Sequence, residues 1–179
     1  IQELLEAGSD HMAVHVTTIG LDEPVTKELL LQHLSARTTW DMVHFAGHSL
    51  YQVVDEDRDI GRGLIFVGEP DAPEVVKFNE IAPRLKNTKL LYLSSCKGAS
   101  TCFAVDAAKA SGGSLVVAGF RTAVDDEPAH RYALEFYRQF LTRRSIDAAF
   151  LHARRKLHKE LGDDPTWASA LLVAGQTSA

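Results

Sequence analysis

The sequence predicts an α/β fold: a three-layer sandwich whose mostly parallel central sheet of about six strands is flanked by helices on both faces. Three observations predict it. Short, nearly continuous apolar runs of strand length recur along the chain, helix-periodic stretches separate them, and capping or turn residues mark many of the junctions. The runs are Met12–Ile19, Met42–Ala46, Leu64–Val67, Leu90–Leu93, Leu115–Ala118 and Ala170–Val173. Most lack an apolar/polar alternation, as expected of strands buried on both faces of a parallel sheet.

The helices follow in order. Pro24 suits a first helical turn ahead of Val25–Ser35, because its missing N–H would be unsatisfied there anyway. A helix from about Thr101 to Ala110 is expected to stop at Gly112-Gly113. Next, Ala129, Tyr132, Ala133, Phe136, Tyr137, Phe140 and Leu141 recur at steps of three and four, which makes one apolar stripe. Ser145 reads as the N-cap of a helix carrying Ile146, Ala149, Phe150, Ala153 and Leu157, closed by Gly162. One segment breaks the pattern. Ser49–Arg62, with its Asp55-Glu56-Asp57-Arg58-Asp59 run and Gly61, reads as an exposed, mobile loop that starts beside His48.

A chain of 179 residues, 45% hydrophobic and 24% charged, fits a single domain over 1–179. Its net charge of −5 favours neither nucleic acid nor an anionic membrane as a partner. No apolar run approaches the roughly 20 residues of a membrane span, and the first residues lack the apolar core of a secretory leader. A start at Ile1 suggests a piece of something longer. Two cysteines, Cys96 and Cys102, are too few for a disulfide scaffold, so a reducing, cytoplasmic setting is expected. No metal is expected, since His44, His48 and the cysteines lack usual zinc spacing. No cofactor is expected either: no Gly-x-Gly-x-x-Gly follows a strand.

Chemistry concentrates in two segments. In Leu90-Leu91-Tyr92-Leu93-Ser94-Ser95-Cys96-Lys97-Gly98 an apolar strand turns polar and delivers a cysteine as it ends. Ligands of open α/β sheets bind at such carboxyl ends. A small buried structural cysteine is the plainer alternative. Against it stands Val43-His44-Phe45-Ala46-Gly47-His48-Ser49, a second apolar run ending in Gly47 and His48. If the two strands are parallel neighbours, His48 and Cys96 emerge at the same edge. An imidazole there could activate the thiol and later protonate a leaving amine. His44 shares a strand face with His48 but lies deeper, and reads as a packed histidine supporting the site. Cys102 reads as a packed residue on a helix face.

These segments resemble the CHAT family of caspase-like (clan CD) cysteine peptidases, related to separases and caspases. From about Thr39 to Gly175, six segments are similar to the family's pattern in order. Trp40–His48 is similar to its histidine strand, and Gly63–Val67 to the short strand that follows. Leu91–Cys96 is similar to its nucleophile strand, usually an apolar run followed by Ser-Ala-Cys or Ser-Ser-Cys. Ala110–Gly119 resembles the next helix end and strand. Asp125, Phe136-Tyr137 and Trp167-Ala168 ahead of Leu172–Gly175 fit its C-terminal pattern.

The resemblance implies a caspase-like cysteine endopeptidase with a His48–Cys96 dyad and an acyl-enzyme intermediate. It implies oxyanion donors from the backbone N–H groups of Cys96 and Ser49, and a supporting role for Gly47. Substrate-pocket candidates are Asp125, Asp126, Glu127 and Arg121. The implied partners are a protein substrate and an activating sensor domain, helical-repeat domain or separate protein, in a bacterial signalling or defence pathway. The sequence departs from the family where Ser49 replaces the usual Gly after the histidine, and where Gly119-Phe120-Arg121-Thr122 replaces a Trp-containing stretch. It also leaves open which acidic residue lines the S1 pocket. A non-catalytic interaction module on the same fold is the alternative. An amidotransferase-like enzyme fits less well, because it places its nucleophile first, on a Gly-x-Cys-x-Gly elbow.

Overall fold

Thr26 sets a helix boundary: its hydroxyl accepts the Leu29 N–H at 3.2 Å and caps a helix that starts at Lys27. Pro24 therefore precedes that helix rather than entering it. The computed structural model describes residues 1–7, 14–22, 24–35, 39–50, 54–55, 58–59, 63–68, 73–95, 101–111 and 114–174. In chain order the helices are α1 (Gln2–Ala7), α2 (Lys27–Ser35), α3 (Phe78–Ile81), α4 (Thr101–Ala110), α5 (Asp126–Arg143), α6 (Ile146–Leu161) and α7 (Thr166–Ser169). The strands are β1 (Met42–Ala46), β2 (His48–Leu50), β3 (Val54–Asp55), β4 (Arg58–Asp59), β5 (Gly63–Val67), β6 (Pro73–Lys77), β7 (Leu90–Ser94), β8 (Val116–Phe120) and β9 (Ala170–Ala174). A 3₁₀ turn, Ala82–Arg84, follows α3. The described residues fall into two compact units, one of Ile1–Leu21 with Val124–Ala170 and one of Asp22–Ala123 with Leu171–Ala179.

The second unit is α/β. Its main sheet runs β1-β7-β8-β9. β1 pairs parallel with β7 from Met42↔Leu90 to Ala46↔Ser94, and β7 pairs parallel with β8 from Leu90↔Val116 to Leu93↔Gly119. Among the described residues this sheet has four strands, not the expected six. Leu64–Val67 belongs instead to an antiparallel sheet, β2-β5-β6. Chain length explains this: only residues 68–72 separate β5 from β6, far short of the dozen or so a parallel crossover needs. The other missing strand is the N-terminal one. Met12 and Ala13 lie outside the described residues, and residues 14–19 form no strand. Their β-branched side chains favour extension, but a strand needs a partner. Here the Thr18 hydroxyl donates to the Gln2 side chain at 3.0 Å.

Of the expected loop Ser49–Arg62, residues 51–53, 56–57 and 60–62 lie outside the described residues, and the rest are in strands. Ser49 and Leu50 lie in β2, and β3 pairs with β4, placing Asp55 opposite Arg58. Strand β6 escapes sequence reading because Glu74 and Lys77 flank only two valines, the charged character typical of a sheet edge.

One apolar cluster holds this unit together. Leu91 and Leu93 of β7, Val117 of β8, and Ala104 and Ala107 of α4 pack with Leu64 and Phe66 of β5 and Val76 of β6. Each buried leucine contributes about 2 kcal/mol. Phe45 of β1 meets Phe66 of β5, ring centroids 5.4 Å apart, so the core spans both sheets.

The first unit is helical. α5 and α6 are joined by Arg144 and Ser145 alone and pack along each other. Buried Ala129, Tyr132, Ala133, Phe136, Tyr137 and Leu141 form the expected stripe, with Phe140 half-buried. Ser145 caps α6 by accepting the Ala148 N–H at 3.2 Å, and Gly162 closes it at φ +47°. Inside the pair, Glu135 is 4% exposed and accepts from Lys156 at 2.7 Å, Arg138 at 2.9 Å and Gln139 at 3.1 Å, with His152 Nε2 also at 3.1 Å.

Candidate active site

β1 and β7 end level with each other. Beyond their last register pair, Ala46↔Ser94, the Gly47 N–H donates to the Ser94 carbonyl at 3.2 Å. Gly47 then bends the chain out of the parallel sheet, and His48 opens β2 opposite Ile65 of β5. The main sheet thus delivers His48 and the antiparallel sheet takes it up. Sequence reading placed the histidine at the end of the β1 run, with no second sheet to anchor it.

Gly47 fits closely at that bend. A Cβ there would stand 2.9 Å from Cζ of Phe45, so the ring, which packs beside Phe66, would have to shift to admit one. His48 itself is exposed. Ser49 follows it, half-buried, opposite Leu64. Among the described non-glycine residues only Arg144 has a positive φ, so the Ser49 backbone is one that any residue can adopt. A serine after the histidine is therefore compatible with this backbone.

Deeper in the same strand pair, His44 stands opposite Tyr92, and the two rings lie 4.8 Å apart at a tilt of 44°. Tyr92 is 1% exposed and His44 half-buried. Ser94, the last residue of β7, is half-buried, and Ser95, just beyond the strand, is buried. Cys96, next in the chain, lies outside the described residues, and so do Lys97 and Gly98. Cys102 lies in α4, as expected, although its side chain is not among those described.

A family model described as the CHAT domain matches residues 1–176, nearly the whole chain. The chain belongs to the CHAT domain family. That match also takes in the segment before Thr39, where the resemblance traced from individual motifs begins. No match was found among curated proteins. An α/β architecture with a sheet flanked by helices fits the caspase-like fold of this family.

The remaining site candidates of this CHAT domain fall at both ends of the chain between β8 and α5. Arg121 is exposed just after β8. Asp125 precedes α5 with an extended backbone, and Asp126 and Glu127 occupy its first turn, all three exposed. Acidic groups there oppose the positive end of the helix dipole. Glu127 also pairs with Arg131 at 2.6 Å. Two features went unnoticed in the sequence. The Tyr92–His44 pairing was legible in principle from equal spacing to the two strand ends, once the strands are known to be parallel. Glu135 gave no sign of burial, because Lys156 and His152, which meet it from across the helix pair, lie on α6. No helix among the described residues is long and apolar enough to cross a membrane.

Proposed function

We propose that this CHAT domain is a cysteine endopeptidase that cuts a protein partner through a Cys96–His48 dyad. The observation that carries the reading is the register of β1 and β7. In sequence, His48 and Cys96 each follow by two residues one member of the Ala46↔Ser94 pair, with which the parallel β1–β7 ladder closes at its carboxyl end.

The chemistry follows from the residue types. The His48 imidazole takes the Cys96 proton, and the thiolate attacks the scissile carbonyl carbon. Negative charge passes to the carbonyl oxygen, which the backbone N–H groups of Cys96 and Ser49 would receive. As the tetrahedral adduct collapses, the imidazolium gives its proton to the leaving amine and the acyl group remains on sulfur. Neutral His48 then draws a proton from water, which attacks the thioester and releases the acid with restoration of the thiol. No cofactor enters these steps. His44 and Gly47 support His48, the first by packing at the strand below it and the second by permitting the bend. Arg121, Asp125, Asp126 and Glu127 are the candidates for reading the P1 side chain. Activation by an attached sensor or helical-repeat domain, or by a partner protein, would align this site on its three-layer, caspase-like frame.

Turnover of fluorogenic peptides varied at P1 tests the reading in wild type, Cys96→Ala and His48→Ala. Cleavage abolished in both variants is the expected result, and the preferred peptide reports the S1 pocket. Cleavage that survives in Cys96→Ala removes the proposal. If wild type is silent, labelling by peptidyl electrophiles separates an enzyme awaiting its activator from a non-catalytic module, whose Cys96 reacts no faster than an ordinary thiol.

A further inference from the structure

Residues 138–160 hold seven of the chain's 19 lysines and arginines but two of its 24 acidic residues, a basic segment on a chain of net charge −5. Most of these cations have local work. Arg143 and Arg144 stand at the C-terminal end of α5, where the helix dipole favours positive charge. Arg154 donates to the Trp167 carbonyl at 3.0 Å and lies over the Phe150 ring. Arg138 and Lys156 hold the buried Glu135 carboxylate. Arg155 and Lys159 remain, both exposed and without a hydrogen bond or ion pair among the described residues. The dipole accounts for Lys159, in the last turn of α6, but not for Arg155, a turn further in. Standing four apart on one helix, the two cations repel each other. The same side of α6 carries Leu151, 47% exposed and one turn before Arg155. Buried Ala149, Phe150, Ala153 and Leu157 take the opposite side. A single exposed leucine is ordinary on a surface, but this one adjoins the two cations that the fold leaves uncompensated.

We propose that this side of α6 is a docking site for an acidic segment of a partner protein. Arg155 and Lys159 lie about 6 Å apart along the helix axis and would each take a carboxylate, while Leu151 meets one apolar side chain beside them. A partner helix with acidic residues four apart matches that spacing. The recognition chemistry has a precedent within the same helix pair, where Lys156 and His152 meet the Glu135 carboxylate at 2.7 and 3.1 Å. Charge and size select the occupant. Two uncompensated cations are too few for the phosphate contacts that hold a nucleic acid, and the strip carries no Phe, Tyr or Trp on which bases could stack. The chain's net negative charge also opposes a long polyanion. A leucine, in turn, has nothing to gain from a phosphate backbone but does from a protein side chain. The site belongs to the helical unit and does not depend on the reading of Cys96 and His48 as a reacting pair.

The test uses an array of short peptides on an Ala/Gln background, each with a pair of Glu and one Leu in every relative placement, probed with the full chain. Peptides with Glu four apart and a neighbouring Leu should bind, more weakly as salt rises, and their Gln-for-Glu or Ser-for-Leu counterparts should not. Titration of the best peptide, followed by fluorescence anisotropy, then compares variants. Arg155→Glu with Lys159→Glu should weaken binding about tenfold, and Leu151→Ser about threefold. Lys86→Glu with Lys89→Glu, which makes the same change in net charge on the other unit, should bind as wild type does. Arg155→Gln with Lys159→Gln is the milder pair and must show the same direction of loss at an unchanged unfolding temperature. Cys96→Ala should bind like wild type, and a loss there would place the peptide at the reacting residues and overturn the proposal. An array on which no acidic peptide binds also overturns it, as does an equal loss in the Lys86/Lys89 control. So does tighter binding of an oligothymidylate or of phosphatidylserine vesicles with the same dependence on Arg155 and Lys159, which would make the strip a site for phosphate rather than protein.

Discussion

The backbone N–H of Gly47 donates to the carbonyl of Ser94 at 3.2 Å, one residue past the point where β1 and β7 stop pairing in register. This bond fixes where the histidine segment leaves the parallel sheet. Everything beyond it on that side is held by a different sheet, through His48 opposite Ile65 and Ser49 opposite Leu64. The geometry of His48 therefore depends on two sheets being held together by a shared core, with Phe45 and Phe66 as the contact between them.

Gly47→Ala tests that dependence. The new methyl would press on the far end of the Phe45 ring, which can turn away from Phe66 at a cost of about 1 kcal/mol. The expected outcome is a modest fall in the denaturation midpoint with a larger loss of His48-dependent labelling of Cys96. Equal labelling in variant and wild type would show that the bend does not set the position of His48.

Gly63→Ala should be worse for stability. At this position a Cβ would meet the Val76 carbonyl oxygen at 2.5 Å and Val75 Cγ1 at 2.6 Å. A backbone carbonyl in a paired strand cannot swing aside as a ring can, so β5 and β6 must separate. A cost of about 3 kcal/mol is expected, clearly above that of Gly47→Ala. Chemical denaturation of the two variants side by side checks the order.

Glu135 makes folding stability depend on pH. Burial alone would push its carboxyl up, but hydrogen bonds from Lys156, Gln139 and Arg138 and the Lys156 charge outweigh it and hold it below the ordinary carboxylate value. A depressed folded-state value contributes stability that is fully present above the unfolded value, near 4.5, and disappears as the pH falls through the folded one. Glu135→Gln should lose about 1–3 kcal/mol at neutral pH. The gap from wild type should close in acid. Denaturant titrations from pH 7 downward read this directly, and a gap independent of pH would mean that packing, not charge, is lost.

The two ends of α6 offer a local test. Ser145→Ala removes the hydroxyl that accepts the Ala148 N–H and should cost about 1 kcal/mol. Gly162→Ala meets no atom within 4 Å, yet its φ of +47° should cost a similar amount through backbone strain alone. Thermal melts of the single and double variants should show the two effects adding.

By itself, the amino-acid sequence determined whatever depends on neighbours along the chain. The period of apolar residues in α5, the cap at Ser145, the stop at Gly162 and the runs that became β1, β7, β8 and β9 follow from side-chain spacing and backbone preference. So do the two segments that carry His48 and Cys96, because residue types and order are enough to mark them. Tertiary structure decided what depends on partners. An apolar run such as Leu64–Val67 has no intrinsic sheet; its short connections assigned it to the antiparallel one. Residues 14–19 have strand composition but no ladder, and β6 has a ladder despite charged ends. The anchoring of His48 by β5, the burial of Ser95 and the capture of Glu135 by Lys156 are likewise contacts between segments distant in sequence. Local spacing cannot encode them, because their energies exist only once the distant surfaces have met.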